Sequence, residues 1–172
     1  MKSEGIGNNG LAFIALSNEY CQAVENARDC ELHEFVALMV KLLPRIYITA
    51  TDINVEAKGL DEPYLESSLD EDYYDSVRRN IEYLLGPDDT YLEVFEEDMK
   101  YSDTPIAVSI SEGLSDIFQV LYNFLDMVKD APTALVELAL VAVKDEFESY
   151  WSRILCNVLR ALNHLRYNPS VE

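Results

Sequence analysis

The sequence predicts an all-α domain: a single-domain helical bundle of about five to seven helices, ending in a long C-terminal helix. Three observations predict it. Apolar residues recur at three- and four-residue steps through the long segments, the period of a helix with one buried face. Glycine and proline, six of each in 172 residues, fall almost entirely at the breaks between those segments. Two serine-led tetrads, Ser68-Leu69-Asp70-Glu71 and Ser109-Ile110-Ser111-Glu112, match the capping box, in which a serine side chain and a glutamate three residues on satisfy each other's backbone amides.

A chain of 172 residues is one domain's worth of polypeptide and buries a sizeable core without disulfides or metals. The expected layout is a flexible N-terminus over residues 1–10, rich in Gly and Asn, followed by the domain over 11–168. The first helix is expected over 11–28, with Ile14, Cys21 and Val24 on one side and Phe13, Leu16, Tyr20 and Ala27 beside them. The second starts near Leu32 and carries Phe35, Val36, Met39, Leu42, Leu43 and Ile46 at helical steps. Pro44 lies inside this pattern, where it lacks a backbone donor and crowds the preceding turn, so a kink or break is expected there. Residues 46–51 and 105–110 have some strand character, but two short strands make a weak sheet, and helix is the expectation.

Residues 56–67 read as an acidic connector. Ser68 is then expected to cap a helix that buries Tyr73, Tyr74, Val77, Ile81, Leu84 and Leu85 and stops at Gly86-Pro87. A short acidic helix is expected over 88–99. The next long helix starts at the second capping box and carries apolar residues around most of its circumference, so it should touch neighbours on several sides. Its polar positions Glu112, Asp116, Gln119, Asn123 and Asp126 gather into a narrow stripe. Pro132 suits the first turn of the last helix, expected over 133–165. Val136, Leu140, Val143, Phe147, Trp151, Ile154, Val158, Leu162 and Leu165 form its buried stripe. Its first third is apolar nearly all round, which fits a central buried helix or a subunit interface.

Charge narrows the function classes. The net charge is -19, and the excess is concentrated: residues 56–103 hold 16 acids against 4 bases. Nucleic-acid binding is driven by Lys and Arg neutralising phosphates, and anionic membranes repel acidic chains, so neither partner is expected. The plain reading of the acid is a solubilising surface; the sharper one is a docking face for a basic partner or a nucleic-acid mimic. No run approaches the length of a membrane span, and no signal-peptide core precedes a cleavage site. Three cysteines without C-x-x-C spacing suit reduced thiols, so the expected location is cytoplasmic.

Candidate chemistry is sparse. The carboxylate pairs Glu112/Asp116, Glu93/Glu97 and Asp72/Asp75 have spacings that place each pair on one helix face, but a bundle metal site also wants Glu-x-x-His, and neither His33 nor His164 supplies it. No metal site and no cofactor is expected. No nucleophile elbow, cysteine signature or phosphate loop occurs. The remaining polar constellation is Asp75, Arg79, Asp116, Gln119, Trp151 and Arg160. Asp75 and Arg79 are four apart and should pair on their own helix, while Asp116 is placed to receive Arg160 from the last helix. The plain reading of these pairs is tethering between helices. The functional reading is a small polar ligand-binding cleft beside Trp151.

Several segments resemble a bacterial domain-of-unknown-function family, number 5063. They are Ser109 through Gln119, Phe147 through Trp151, Leu159-Arg160-Ala161-Leu162, Tyr74-Asp75 with Arg79, and Gly86-Pro87-Asp88-Asp89-Thr90-Tyr91. The resemblance implies an all-helical bacterial domain and no particular activity. The sequence departs from the family pattern at Gly113 and Val120, where acids are usual, at Ser152, where glycine is usual, and at Asn163, where histidine is usual.

With no nucleophile-base pair in view, the expected function is a non-catalytic protein-interaction module, docking a protein partner or forming a homodimer. The alternative is a small carboxylate-based enzyme or ligand-binding domain using the cleft near Trp151.

Overall fold

A computed structural model describes residues 6–56, 62–93 and 106–168. The described residues form helices α1 (Gly7–Glu25), α2 (Leu32–Thr51), α3 (Glu71–Leu85), α4 (Ile110–Val128), α5 (Thr133–Glu146) and α6 (Ser152–Tyr167). Two strands, β1 (Thr90–Glu93) and β2 (Ile106–Ser109), precede α4. The all-α expectation holds, with this small sheet as the addition.

Helix α4 is the hub. It packs against α1, α3, α5 and α6, while α2 packs on α1 and α6. Ten of its residues are buried, from Ile110 to Met127, so its apolar surface does meet neighbours on several sides. Among them, Phe124 meets Phe13 of α1 edge-on at 5.2 Å between ring centroids. α5 is therefore not the centre of the bundle. It buries Val136, Ala139, Leu140, Ala142 and Val143 and leaves Leu135, Leu138 and Val141 half-buried.

The expected C-terminal rod is present with an interruption. α5 and α6 are joined by a π turn, Phe147–Trp151. Such a turn closes i→i+5 and is wider than an α turn. It stretches the buried stripe to four-residue steps, Phe147, Trp151, Leu155, so Leu155 is fully buried and the expected Ile154 is half-buried. Trp151 is fully buried, stacks edge-on with Phe147 at 4.6 Å, and donates its indole N–H to the Val143 carbonyl at 3.2 Å.

Other sequence expectations are corrected. α2 runs from Leu32 to Thr51 through Pro44 without a break, its buried face holding it together. Residues 46–51 are helical as expected, whereas 106–109 form a strand that pairs with 90–93. The acidic helix expected over 88–99 is replaced, in its described part, by a 3₁₀ turn at Gly86–Asp89 and then β1. Residues 94–99 lie outside the described residues. Ser68 does not cap α3, whose N-cap is Asp70. Its hydroxyl and amide go to Asn123 Oδ1 on α4, which also takes the Leu69 amide at 2.9 Å. This long-range clip outcompetes the local cap. The second capping box forms as expected in its serine half, with Ser109 Oγ accepting from the Glu112 amide. Tyr73, expected buried, lies at the surface, where its hydroxyl donates to Glu25.

Two glycines are required. Gly86 has φ +57°, in the region that glycine occupies without strain, and it ends α3. Gly113 lets α4 and α6 approach: a Cβ there would lie 2.4 Å from Val158 Cγ1.

Two stability measurements check this packing. Trp151→Ala should cost roughly 3–5 kcal/mol in denaturant unfolding, a large share of the roughly 5–15 kcal/mol typical of a domain. Gly113→Ala should cost about 1–3 kcal/mol by overpacking, and adding Val158→Ala should return part of that loss because it removes the clashing methyl.

Candidate functional site

The site is built around the start of α4. The β1–β2 register pairs Thr90 with Ser109, which brings Asp89 beside the first turn of α4. The Asp89 carboxylate is buried and accepts from the Ser111 amide at 2.6 Å, Ser109 Oγ at 2.9 Å and Ser111 Oγ at 2.7 Å. An acid here satisfies orphan amides and complements the positive helix end. The Gly86–Tyr91 and Ser109–Glu112 segments, far apart in the chain, therefore meet as one structural unit.

One turn further along α4, Asp116 receives the Tyr74 hydroxyl of α3 at 2.6 Å. Burial pushes the Asp116 carboxyl above the usual aspartate range; the Tyr74 hydrogen bond works against this, and the Glu112 charge adds to it. Burial likewise raises Tyr74, with the hydrogen bond to Asp116 next. Tyr150 also rises, through burial and then the nearby Asp116 charge. It projects from the π turn, and Arg153 and Asn157 follow it on α6.

These groups border a cleft of about 270 Å³ between the sheet, α4 and α6. Among the described residues its charged lining is Glu93, Glu112 and Asp116 with the cation Arg153, and Tyr91, Tyr150 and Asn157 supply further polar groups. A second cleft of about 470 Å³ adjoins it, lined by Arg160 and His164 of α6, by Asn168 just past its end, and by Pro87, Asp88 and Leu92. Tyr91 lines both. Among the described residues no three acidic, histidine or cysteine side chains converge closely enough to hold a metal ion.

The six residues singled out from sequence are not brought together. Asp75 pairs on α3 with Arg79 at 2.7 Å, as the spacing predicts, and with Arg78 at 2.9 Å. Asp116 lines the first cleft and is met by Tyr74, not Arg160; Arg160 lines the second. Gln119 is half-buried farther along the α4 stripe. Trp151 lies in the core, behind the cleft rather than in its wall. Sequence reasoning found Glu112 and Asp116 as a carboxylate pair but missed their neighbours Tyr91, Tyr150, Arg153 and Asn157. Glu93, expected with Glu97 on one helix face, sits on β1, buried, with an interaction of its own, and Glu97 lies outside the described residues. The 3–4 periodicity carries no signal for residues on a strand or across a π turn.

The fold and cleft define a helical bundle with a small sheet lodged against one end of its central helix. The family model described as a domain of unknown function, DUF5063, matches residues 6–168, and the chain belongs to that family. The crystal structure of protein BF1032 from Bacteroides fragilis is similar, with a TM-score of 0.81 and 25% sequence identity over 96% of each chain. No curated protein matches the sequence. Among the described residues no helix is long and apolar enough to cross a membrane.

The environment of Asp116 has a consequence for pH. Its folded pKa lies above the unfolded value, so its contribution to stability is full below the ordinary aspartate range and is lost as pH rises through the folded midpoint. Carboxyl NMR titration should show Asp116 with a midpoint above that of an unstructured aspartate. Tyr74→Phe should move it higher still, since the lowering hydrogen bond is gone. Asp116→Asn should remove this part of the loss of stability with rising pH.

Proposed function

We propose that this domain is a non-catalytic protein-interaction module that receives a basic side chain of a partner in the cleft beside Asp116. The observation that carries the reading is the charge of the lining contributed by α4: among the described residues, Glu112 and Asp116 stand against Arg153. A lysine or arginine entering there meets net negative charge and aromatic surface from Tyr91 and Tyr150. The chain's net charge of -19 would speed the encounter with a basic partner. Homodimer formation stands beside this reading as a separate proposal, supported by the half-buried apolar face of α5.

One observation supports a second reading as a carboxylate-based enzyme or small-ligand site: a carboxyl with a raised pKa in a cleft is a common feature of general acids. Against it, Tyr74 already occupies one oxygen of Asp116.

The test uses a short lysine-containing peptide, with binding followed by amide NMR shifts. The expected result is shifts centred on Glu112, Asp116 and Arg153, an affinity that falls with salt, and about three- to tenfold weakening by Glu112→Gln or Asp116→Asn. Binding should also weaken as pH falls through the Asp116 midpoint, because only the ionised carboxylate attracts the cation. Equal weakening by Glu82→Gln, on the exposed face of α3, would reveal unspecific charge attraction and overturn the reading.

A further inference from the structure

We propose that the partner segment continues past Tyr91 and places a carboxylate in the second cleft. The docking motif is then an extended strand carrying one basic and one acidic side chain about three to five residues apart. This rests on the interaction-module reading of the first cleft.

Both clefts share the wall made by α6. Arg153, Asn157, Arg160 and His164 follow one another at three- and four-residue steps, so they lie along one face of the helix. Tyr91 borders both clefts, so the two adjoin at one residue. The charge balance shifts between them, from net negative in the lining of the first cleft to even in the second, where Arg160 and Asp88 cancel in formal charge. In the first cleft carboxylates dominate. In the second, the donors Arg160 and His164 face the space, and neither belongs to the ion pairs of the described residues, which all lie on α3. Asp88 stands across from them and already has an interaction of its own. A guanidinium fork matches a carboxylate in geometry, and an imidazole offers an N–H donor in either protonation state.

The spacing follows from the helix. Arg153 precedes Arg160 by seven residues and His164 by eleven, which is about 10–16 Å along the axis. An extended chain advances about 3.3 Å per residue, so about three to five residues span that distance. A polyanion such as a nucleic acid would fill the second cleft only by pressing its next charges against Glu112 and Asp116. A peptide with opposite charges at its two contact points meets no such conflict.

The experiment compares four fluorescently labelled peptides of one neutral background by anisotropy with the full chain. One carries Lys and Glu four residues apart, one the same pair ten apart, one Lys alone and one Glu alone. The expected result is that the four-residue pair binds about tenfold more tightly than Lys alone and than the ten-residue pair. Arg160→Gln with His164→Gln should reduce the pair to the affinity of Lys alone while leaving the Lys-only peptide unchanged. If pair and Lys-only peptides bind equally and the α6 variant changes neither, this inference falls and the first cleft keeps its assignment. If no lysine peptide binds, or Glu alone binds more tightly than Lys alone, the first-cleft reading falls and takes this inference with it.

Discussion

The position of α4 depends on one carboxylate. Asp89 is buried at the end of a 3₁₀ turn and accepts from the Ser111 amide and from two serine hydroxyls at the start of the helix. Removing the acceptor would leave a buried amide unpaired, which costs more than the net worth of an ordinary hydrogen bond. The sheet and this contact act together, since the Thr90–Ser109 pairing is what delivers Asp89 to that point. α4 in turn packs against α1, α3, α5 and α6, so the anchored end of one helix sets the frame for four others. Elsewhere α4 is held from outside the helix in the same way: Asn123 gathers Ser68 and Leu69, and the Leu114 carbonyl receives the buried Tyr20 hydroxyl at 2.6 Å.

Much of this was legible in the sequence because burial is periodic. Phe35, Val36, Met39, Leu42, Leu43 and Ile46 are all buried, as their steps predict, and the same holds for Val136, Leu140, Val143, Phe147 and Trp151. What failed to show was whatever depends on a partner far away in the chain. Ser68 obeys the capping-box pattern, yet its polar groups go to Asn123, 55 residues later. The run from Asp88 to Glu93 has helical acid spacing, yet a 3₁₀ turn and a strand replace the helix because β2 offers a ladder. The candidate site suffered most. Glu112 and Asp116 lie on α4, where period reveals the face, but Tyr91 and Glu93 come from the strand. Tyr150 comes from a π turn, a feature that no capping or spacing rule announces.

The acidic cleft also carries a tension that the surrounding residues resolve. A half-buried aspartate beside another acid is costly to ionise, and the Tyr74 hydroxyl lowers that cost by donating to Oδ1. The same hydrogen bond ties α3 to α4. Asp116 thus joins two helices while its charge faces the cleft. Arg78 and Arg79, on the same helix as Tyr74, are held instead by Asp75, with Glu82 also bonded to Arg78. Had either reached Asp116, part of the cleft's negative charge would have been cancelled from within the fold.

The π turn links the cleft to the core through consecutive residues. Trp151 is fully buried against Phe147 and Phe13, with its indole N–H committed to Val143. Tyr150, one residue earlier, lines the cleft. Backbone torsions fixed by the packing of the tryptophan therefore also fix the direction of the tyrosine. The facing wall is set just as closely, because Gly113 lines the same cleft where α4 approaches Val158 of α6. Both sides of the opening thus inherit their geometry from close-packed neighbours, which deform at a high energetic cost. A ligand meeting such walls loses little free energy to ordering them, so recognition there turns on the charge and shape of the partner.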